Sequence, residues 1–145
     1  MNPLFDIHQY PPTMTISRIL KFCEKKGLGI TRGMIQNYIR DGLLPHPVDK
    51  RQYTHNHLAA LVLIDKLKKV FDIPTIKAVL APHMVETGIP IDVYADLMVK
   101  LESLARQWQA NVAAALLAES DGGALLGMTF AAELKGITGG LLEVR

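Results

Sequence analysis

One cysteine, Cys23, is all that 145 residues contain, so no disulfide can form within the chain and a reducing compartment is the natural setting. Long apolar runs are missing as well. A stretch such as Leu58 to Ile64 falls far short of the roughly 20 residues that cross a bilayer, so no membrane partner is expected. The opening MNPLFDIHQYPP lacks the basic start and apolar run of a secretory leader, and a cytoplasmic protein is expected. Reactive constellations are equally scarce: there are no paired carboxylates, no Ser/His/Asp set, no phosphate-cradling glycine loop, and beyond His55 and His57 no run with metal-ligand spacing. That argues against an enzyme, a metal centre or a cofactor.

Net charge is only +2, too little to name a partner, but it is unevenly spread. Residues 1 to 83 carry twelve Lys/Arg against six Asp/Glu, and residues 84 to 145 carry four against eight, so the two parts stand at +6 and −4. A basic first part suits a polyanion that the acidic remainder would repel.

What the chain does have centres on Ile30 to Tyr53, ITRGMIQNYIRDGLLPHPVDKRQY. Thr31 can cap a helix start, and Gly42 can end that helix in the left-handed conformation, which leaves room for roughly three turns. On its wheel Met34, Ile35, Tyr38 and Ile39 fall toward a core, whereas Arg32, Gln36 and Arg40 recur every four residues on the other side with Gly33 and Asn37 beside them. Such a face suits the major groove of DNA: Arg forks onto guanine, Gln and Asn fork onto adenine, and a glycine permits close approach. Leu43-Leu44-Pro45 then leads out of the helix, and Pro45 and Pro47 favour extended backbone. Asp49-Lys50-Arg51 forms the tip of a ribbon that Tyr53 brings back, a phosphate-gripping wing beside a polar helix.

Around this stretch the expected fold is all-α with a small β wing. Residues 1–14 read as an irregular arm, 15–83 as a DNA-binding unit and 84–145 as a helical dimerisation region with a tail. Thr15 can cap a first helix with Ile16, Ile19, Leu20 and Cys23 on one face and Phe22 alongside, ended by Gly27. Thr54 can cap a third, Asn56 to Phe71, apolar nearly all round except for a strip of Asp65, Lys66, Lys68 and Lys69. Asp72 and Pro74 open a fourth, with Ile73, Ile76, Val79 and Leu80 as its stripe and Pro82 as its stop. A long helix begins at Pro90 or Asp92 and runs to about Glu119. Its Tyr94, Met98, Leu101, Ala105, Trp108 and Val112 follow the 4-3-4-3 spacing of a coiled-coil seam, and pairing with a second copy is expected over folding back. Asp121-Gly122-Gly123 breaks that helix, and the glycine-rich tail, with Leu125, Leu126 and Phe130, is expected to form a short helix over the seam.

The run MIQNYIRDGLLPHPVDKRQYTHNHLAALVLIDKLKKVFDIPTIKAVL, preceded by ISRIL, resembles the winged helix-turn-helix of the MerR family of bacterial transcription regulators, and more closely the bacterial domain family of unknown function numbered 1836. The motifs are Met34-Ile35-x-Asn37-Tyr38, Gly42-Leu43-Leu44-Pro45, Tyr53 followed by His57-Leu58, and Lys68-Lys69-Val70-Phe71 before Ile73-Pro74-x-Ile76-Lys77, within about residues 13 to 84. The resemblance implies a homodimer that binds double-stranded DNA with its second helix in the major groove and its wing on the backbone. Where MerR proteins usually carry Arg-Tyr-Tyr this chain has Gln36-Asn37-Tyr38, and its second half holds no cysteine for a thiolate metal sensor. The candidate DNA-binding residues are Thr31, Arg32, Gln36, Asn37, Tyr38, Arg40, Lys50, Arg51 and Tyr53. A second reading keeps the winged helix as a scaffold for a protein partner, without direct DNA contact. No small-molecule effector is named by the sequence.

Overall fold

The computed structural model describes residues 2–118. In chain order these form β1 (Thr13–Met14), α1 (Ile16–Lys25), α2 (Arg32–Arg40), β2 (Tyr53–Thr54), α3 (His55–Leu67), α4 (Ile73–Leu80) and α5 (Ile91–Ala118), with short 3-10 turns at Ile7–Gln9 and Ala81–His83. The architecture is mainly helical with one small antiparallel sheet, in which Thr13 faces Thr54 and Met14 faces Tyr53. The expected break and short helix after residue 120 lie outside the described residues.

Glycine sets the first two helix ends in the same way. After α1, Gly27 takes φ +72, its amide donates to the Glu24 carbonyl at 3.2 Å, and the Leu28 amide donates to Cys23 at 2.8 Å. After α2, Gly42 takes φ +73, its amide donates to Ile39 at 3.1 Å, and the Leu43 amide donates to Tyr38 at 2.8 Å. Both are Schellman closures, in which a left-handed residue lets its own amide and the next one reach back to the last carbonyls. At the start of α2 the Thr31 hydroxyl accepts from the Met34 amide at 3.2 Å, whereas Thr15 stands at the head of α1 without a side-chain cap bond.

Helix α3 is the axis of the core. Every residue from His57 to Leu67 is buried, including Asp65 at 9% and Lys66 at 2% exposure. The expected basic strip therefore does not exist as drawn: Lys66 is interior, and Lys68 pairs with Asp65 at 3.4 Å. The helix also stops at Leu67, four residues before the expected Phe71, which is exposed. Around it pack Ile19, Phe22 and Cys23 of α1, Ile35 and Tyr38 of α2, and Ile76 and Leu80 of α4.

The segment from residue 2 to residue 14 contributes to this core. Leu4 and Ile7 are buried, Tyr10 meets Phe22 edge to face with ring centres 5.1 Å apart, and Asp6 pairs with Lys26 at 2.8 Å, both side chains being largely covered. Lys26 also lies 4.5 Å from the centre of the Phe5 ring. Asn2 accepts from the hydroxyl of Tyr94, which ties this segment to α5.

Helix α5 packs on α3. Tyr94, Met98 and Ala105 are buried against their own chain, and Leu97 and Leu101 are partly covered. This corrects the expectation of a seam facing a second copy along its whole length: a stripe at heptad spacing fits a neighbouring helix of the same chain equally well. Beyond Ala105 the helix leaves Trp108 42% and Leu117 86% exposed, with Leu104 at 60% on its flank.

Candidate nucleic-acid interface

Helix α2 presents two faces. Ile35 and Tyr38 are buried, Met34 and Ile39 are half-buried, and Thr31, Arg32, Gly33, Gln36, Asn37 and Arg40 are all exposed. A Cβ added at Gly33 would meet nothing closer than the Thr31 hydroxyl at 4.0 Å, so the surface over the first turn is open. The exposed ridge carries three donor-rich side chains at four-residue intervals, Arg32, Gln36 and Arg40, with Asn37 adjoining. Arg40 is not wholly available, because its Nε lies 3.4 Å from the Asp41 carboxylate; with both side chains well exposed that pairing is weak.

The chain leaves α2 without slack. The Leu43 and Leu44 amides both donate to the Tyr38 carbonyl, at 2.8 and 3.1 Å, and both leucine side chains are buried. Pro45 and Pro47 then carry the backbone out to a hairpin closed by the paired amides and carbonyls of Val48 and Gln52, at 2.7 and 2.9 Å. Asp49, Lys50 and Arg51 form its tip and are exposed. Asp49 and Lys50 stand at φ 51 and 67, a mirror-image turn whose twist suits a tight hairpin but which residues with a side chain rarely adopt. Lys50, the less tolerant of the two, is therefore held at the apex at a local cost of about 1–2 kcal/mol. A cation fixed in such a conformation is the local feature most suggestive of a ligand.

Two expected contact residues are withdrawn from this surface. Tyr38 is 6% and Tyr53 7% exposed, and burial raises the phenol pKa of each, helped at Tyr38 by the Asp65 carboxylate and opposed at Tyr53 by the Arg32 guanidinium. Tyr38 faces the α3 core because it follows Ile35 by three residues on one helical face. Tyr53 is drawn inward by its register opposite Met14 and its edge-on contact with His57, with ring centres 5.3 Å apart.

Below the hairpin sit the two histidines of the His55-Asn56-His57 motif, and their rings do different work. The Nε2 of His55 lies 2.8 Å from the Pro11 carbonyl and 3.1 Å from that of Tyr10, joining the N-terminal segment to α3. His57 is fully buried. Its Nδ1 accepts from the Thr54 amide at 3.0 Å while its own amide donates to the Thr54 hydroxyl at 3.3 Å, a reciprocal capping box with histidine in the place usually held by Glu or Gln. Its Nε2 donates to the His46 carbonyl at 3.0 Å. Burial lowers its pKa below the ordinary 6.5. No group of three metal-ligating side chains occurs among the described residues, and none of their helices is long and apolar enough to cross a membrane.

Sequence reasoning overlooked a further support. Lys77 of α4 donates to the Asp41 carbonyl at 3.2 Å, placing an ammonium at the negative end of α2. Only its position about one turn before the Ala-Pro stop of α4 hinted at a capping role.

Residues 13–96 match the family described as Domain of unknown function (DUF1836). No curated protein and no solved structure matches the chain.

Proposed function

We propose that this chain, which belongs to the family Domain of unknown function (DUF1836), is a sequence-specific DNA-binding regulator of the MerR-like winged helix-turn-helix type that acts as a homodimer. The observation that carries the reading is the exposed ridge of Arg32, Gln36, Asn37 and Arg40 on α2, running directly into a hairpin whose tip exposes Lys50 and Arg51. In this reading α2 enters the major groove, where Gln36 and Asn37 read base edges and Arg32 and Arg40 read guanine or hold nearby phosphates. Thr31, whose hydroxyl oxygen already accepts from Met34, retains a proton to donate to a phosphate. Lys50 and Arg51 grip the backbone as the wing. The order β1, α1, α2, hairpin, β2, with the returning limb paired to a strand that precedes α1, supports the same assignment. So does the +6 charge of residues 1 to 83.

The second copy is assigned to the side of the outer half of α5 on which Leu104 and Trp108 are exposed, rather than to Tyr94, Met98 and Ala105, which the chain's own core occupies. Leu101 and Val112 border that outer patch. No catalytic step, metal or cofactor is proposed.

The test is affinity for selected duplex DNA across a salt series. A dimer that neutralises about six to ten phosphates loses roughly 10³ to 10⁵ in affinity between 50 and 200 mM salt. Selection that returns no consensus, with binding indifferent to salt, would remove the reading. One observation favours a protein partner instead: the exposed apolar side chains on α5 lie in the acidic second part of the chain. A purified protein that shifts no duplex at low salt yet retains another protein would support that alternative.

A further inference from the structure

We propose that His57 is an acid-sensitive latch on the hairpin: the neutral ring clasps the outgoing limb at His46 and the returning limb at Thr54 at once, and protonation releases both. The hydrogen bonds fix its state. The Thr54 amide can only donate and the His46 carbonyl can only accept, so with Nδ1 3.0 Å from one and Nε2 3.0 Å from the other, the ring is neutral with its proton on Nε2. A second proton has only Nδ1 to occupy, where it would face the Thr54 N–H at 3.0 Å, beside a Thr54 hydroxyl oxygen at 3.1 Å that already accepts from the His57 amide. Donor then faces donor, the capping box opens, and a charge stands in a fully covered site.

Among the groups around the ring, the backbone carbonyls of His46 and Pro45 favour that charge, but burial outweighs them. Tyr53 lies edge-on from β2, and Arg32 of α2 acts on that tyrosine with a charge of the same sign. From the hairpin come the backbone carbonyls of Pro45 and His46, with the His46 side chain exposed. On α3 the neighbouring His55 ring is committed to the Tyr10 and Pro11 carbonyls. From the segment before α5 comes Thr87, whose carbonyl accepts from the Thr54 hydroxyl, while its neighbour Glu86 is exposed. Burial is the leading cause that depresses the ring's basicity, so the latch is closed at neutral pH and opens as the pH falls below 6.5.

The sign follows from proton counting. A released hairpin binds the proton more readily than a latched one, so between the two pKa values the opening equilibrium rises about tenfold for each unit of pH lost. Regulation of DNA contact by this latch rests on the proposed function; the latch itself does not.

The experiment is amide hydrogen exchange by NMR on the full chain from pH 7.5 to 5, corrected for the chemical exchange rate, together with the ring nitrogen shifts of His57. The expected result is that protection at Val48 and Gln52, whose amides close the hairpin, falls about tenfold per unit as His57 charges, while Ile35 in α2 holds. His57→Gln supplies the usual capping-box residue and an uncharged donor and acceptor, and should flatten the response; His55→Gln should leave it intact. Titration of His57 with no change at Val48 and Gln52 overturns the proposal, as does a response that persists in His57→Gln. Should that variant not fold, the native ring shifts and protection factors decide alone. Duplex affinity measured at pH 7.5 and 5.5 then separates the two readings. Acid weakening in the native chain but not in His57→Gln supports regulation through the latch, whereas no binding at either pH with a responsive hairpin sinks the DNA reading and leaves the latch standing.

Discussion

Replacing Lys50 by glycine separates what the hairpin tip does for folding from what it does for binding. Lys50 sits at φ 67, where an L side chain costs about 1–2 kcal/mol and glycine costs nothing of that kind. Glycine gives back about 0.5–1 kcal/mol through the greater freedom of the unfolded chain, so Lys50→Gly should stabilise by about 0.5–1 kcal/mol net, a rise of about 2–4 °C in Tm. Binding should move the other way. Each tip supplies one phosphate contact in the proposed complex, and a dimer loses two, which lowers the slope of log K against log salt by about 1.8. Between about 50 and 200 mM salt the variant's affinity should then fall about tenfold less than the parent's. Asp49→Gly, at φ 51, is the paired control: aspartate tolerates that conformation better, so the gain in Tm should be smaller, while removal of a carboxylate beside the phosphates should tighten binding. Denaturation curves and fluorescence anisotropy at several salt concentrations read both quantities. A Lys50→Gly protein that is destabilised would refute the backbone argument; one whose salt slope equals the parent's would refute the contact.

Gln36→Ala should change the selected base at one position in each half-site, at about 1–3 kcal/mol, where Lys50→Gly weakens all sequences alike; DNA selection with both variants distinguishes them. Leu104→Asp should yield a folded monomer by sedimentation, whereas Tyr94→Ala should lose about 3–5 kcal/mol of stability, as expected when a large buried aromatic is removed, because its ring lies in the chain's own core. Gly88→Ala should not fold, since Gly88 stands at φ 130 and an added Cβ would sit on the Asn56 carbonyl; a Tm within a few degrees of the parent's would contradict that. Burial, aided by the Asp65 carboxylate, pushes the Cys23 thiol up to about 12, so a thiol reagent at pH 8 should label it only after denaturant is added.

The ends of α1 and α2 were readable in the sequence because Gly27, Thr31 and Gly42 each act through their own backbone or side chain, independent of what packs outside. The same locality made Asp72 legible: it caps α4 by accepting from the Thr75 amide at 2.9 Å, and the Thr75 hydroxyl first, then that amide, lower its pKa. What escaped depended on distant partners. Lys66 reads as a surface residue by type, yet α3 is covered on every side. The β1 strand is two residues long and carries no alternation to detect. Tyr94 and Met98 repeat at a spacing that says a helix will face them, and says nothing of whose helix it is. His55 and His57 look like a chelating pair until the backbone turns one ring toward the arm and the other inward.

The family match starts at residue 13, but the folding unit does not. Leu4, Ile7 and the Asp6–Lys26 pair lie upstream of that limit, as does Asn2, which receives the Tyr94 hydroxyl, and Met98 and Ala105 lie past the other limit at residue 96. An expression fragment trimmed to the homology boundaries would thus uncover Phe22 and the groove along α3 at both ends. Insolubility of such a fragment would report where it was cut, and nothing about what the whole polypeptide binds.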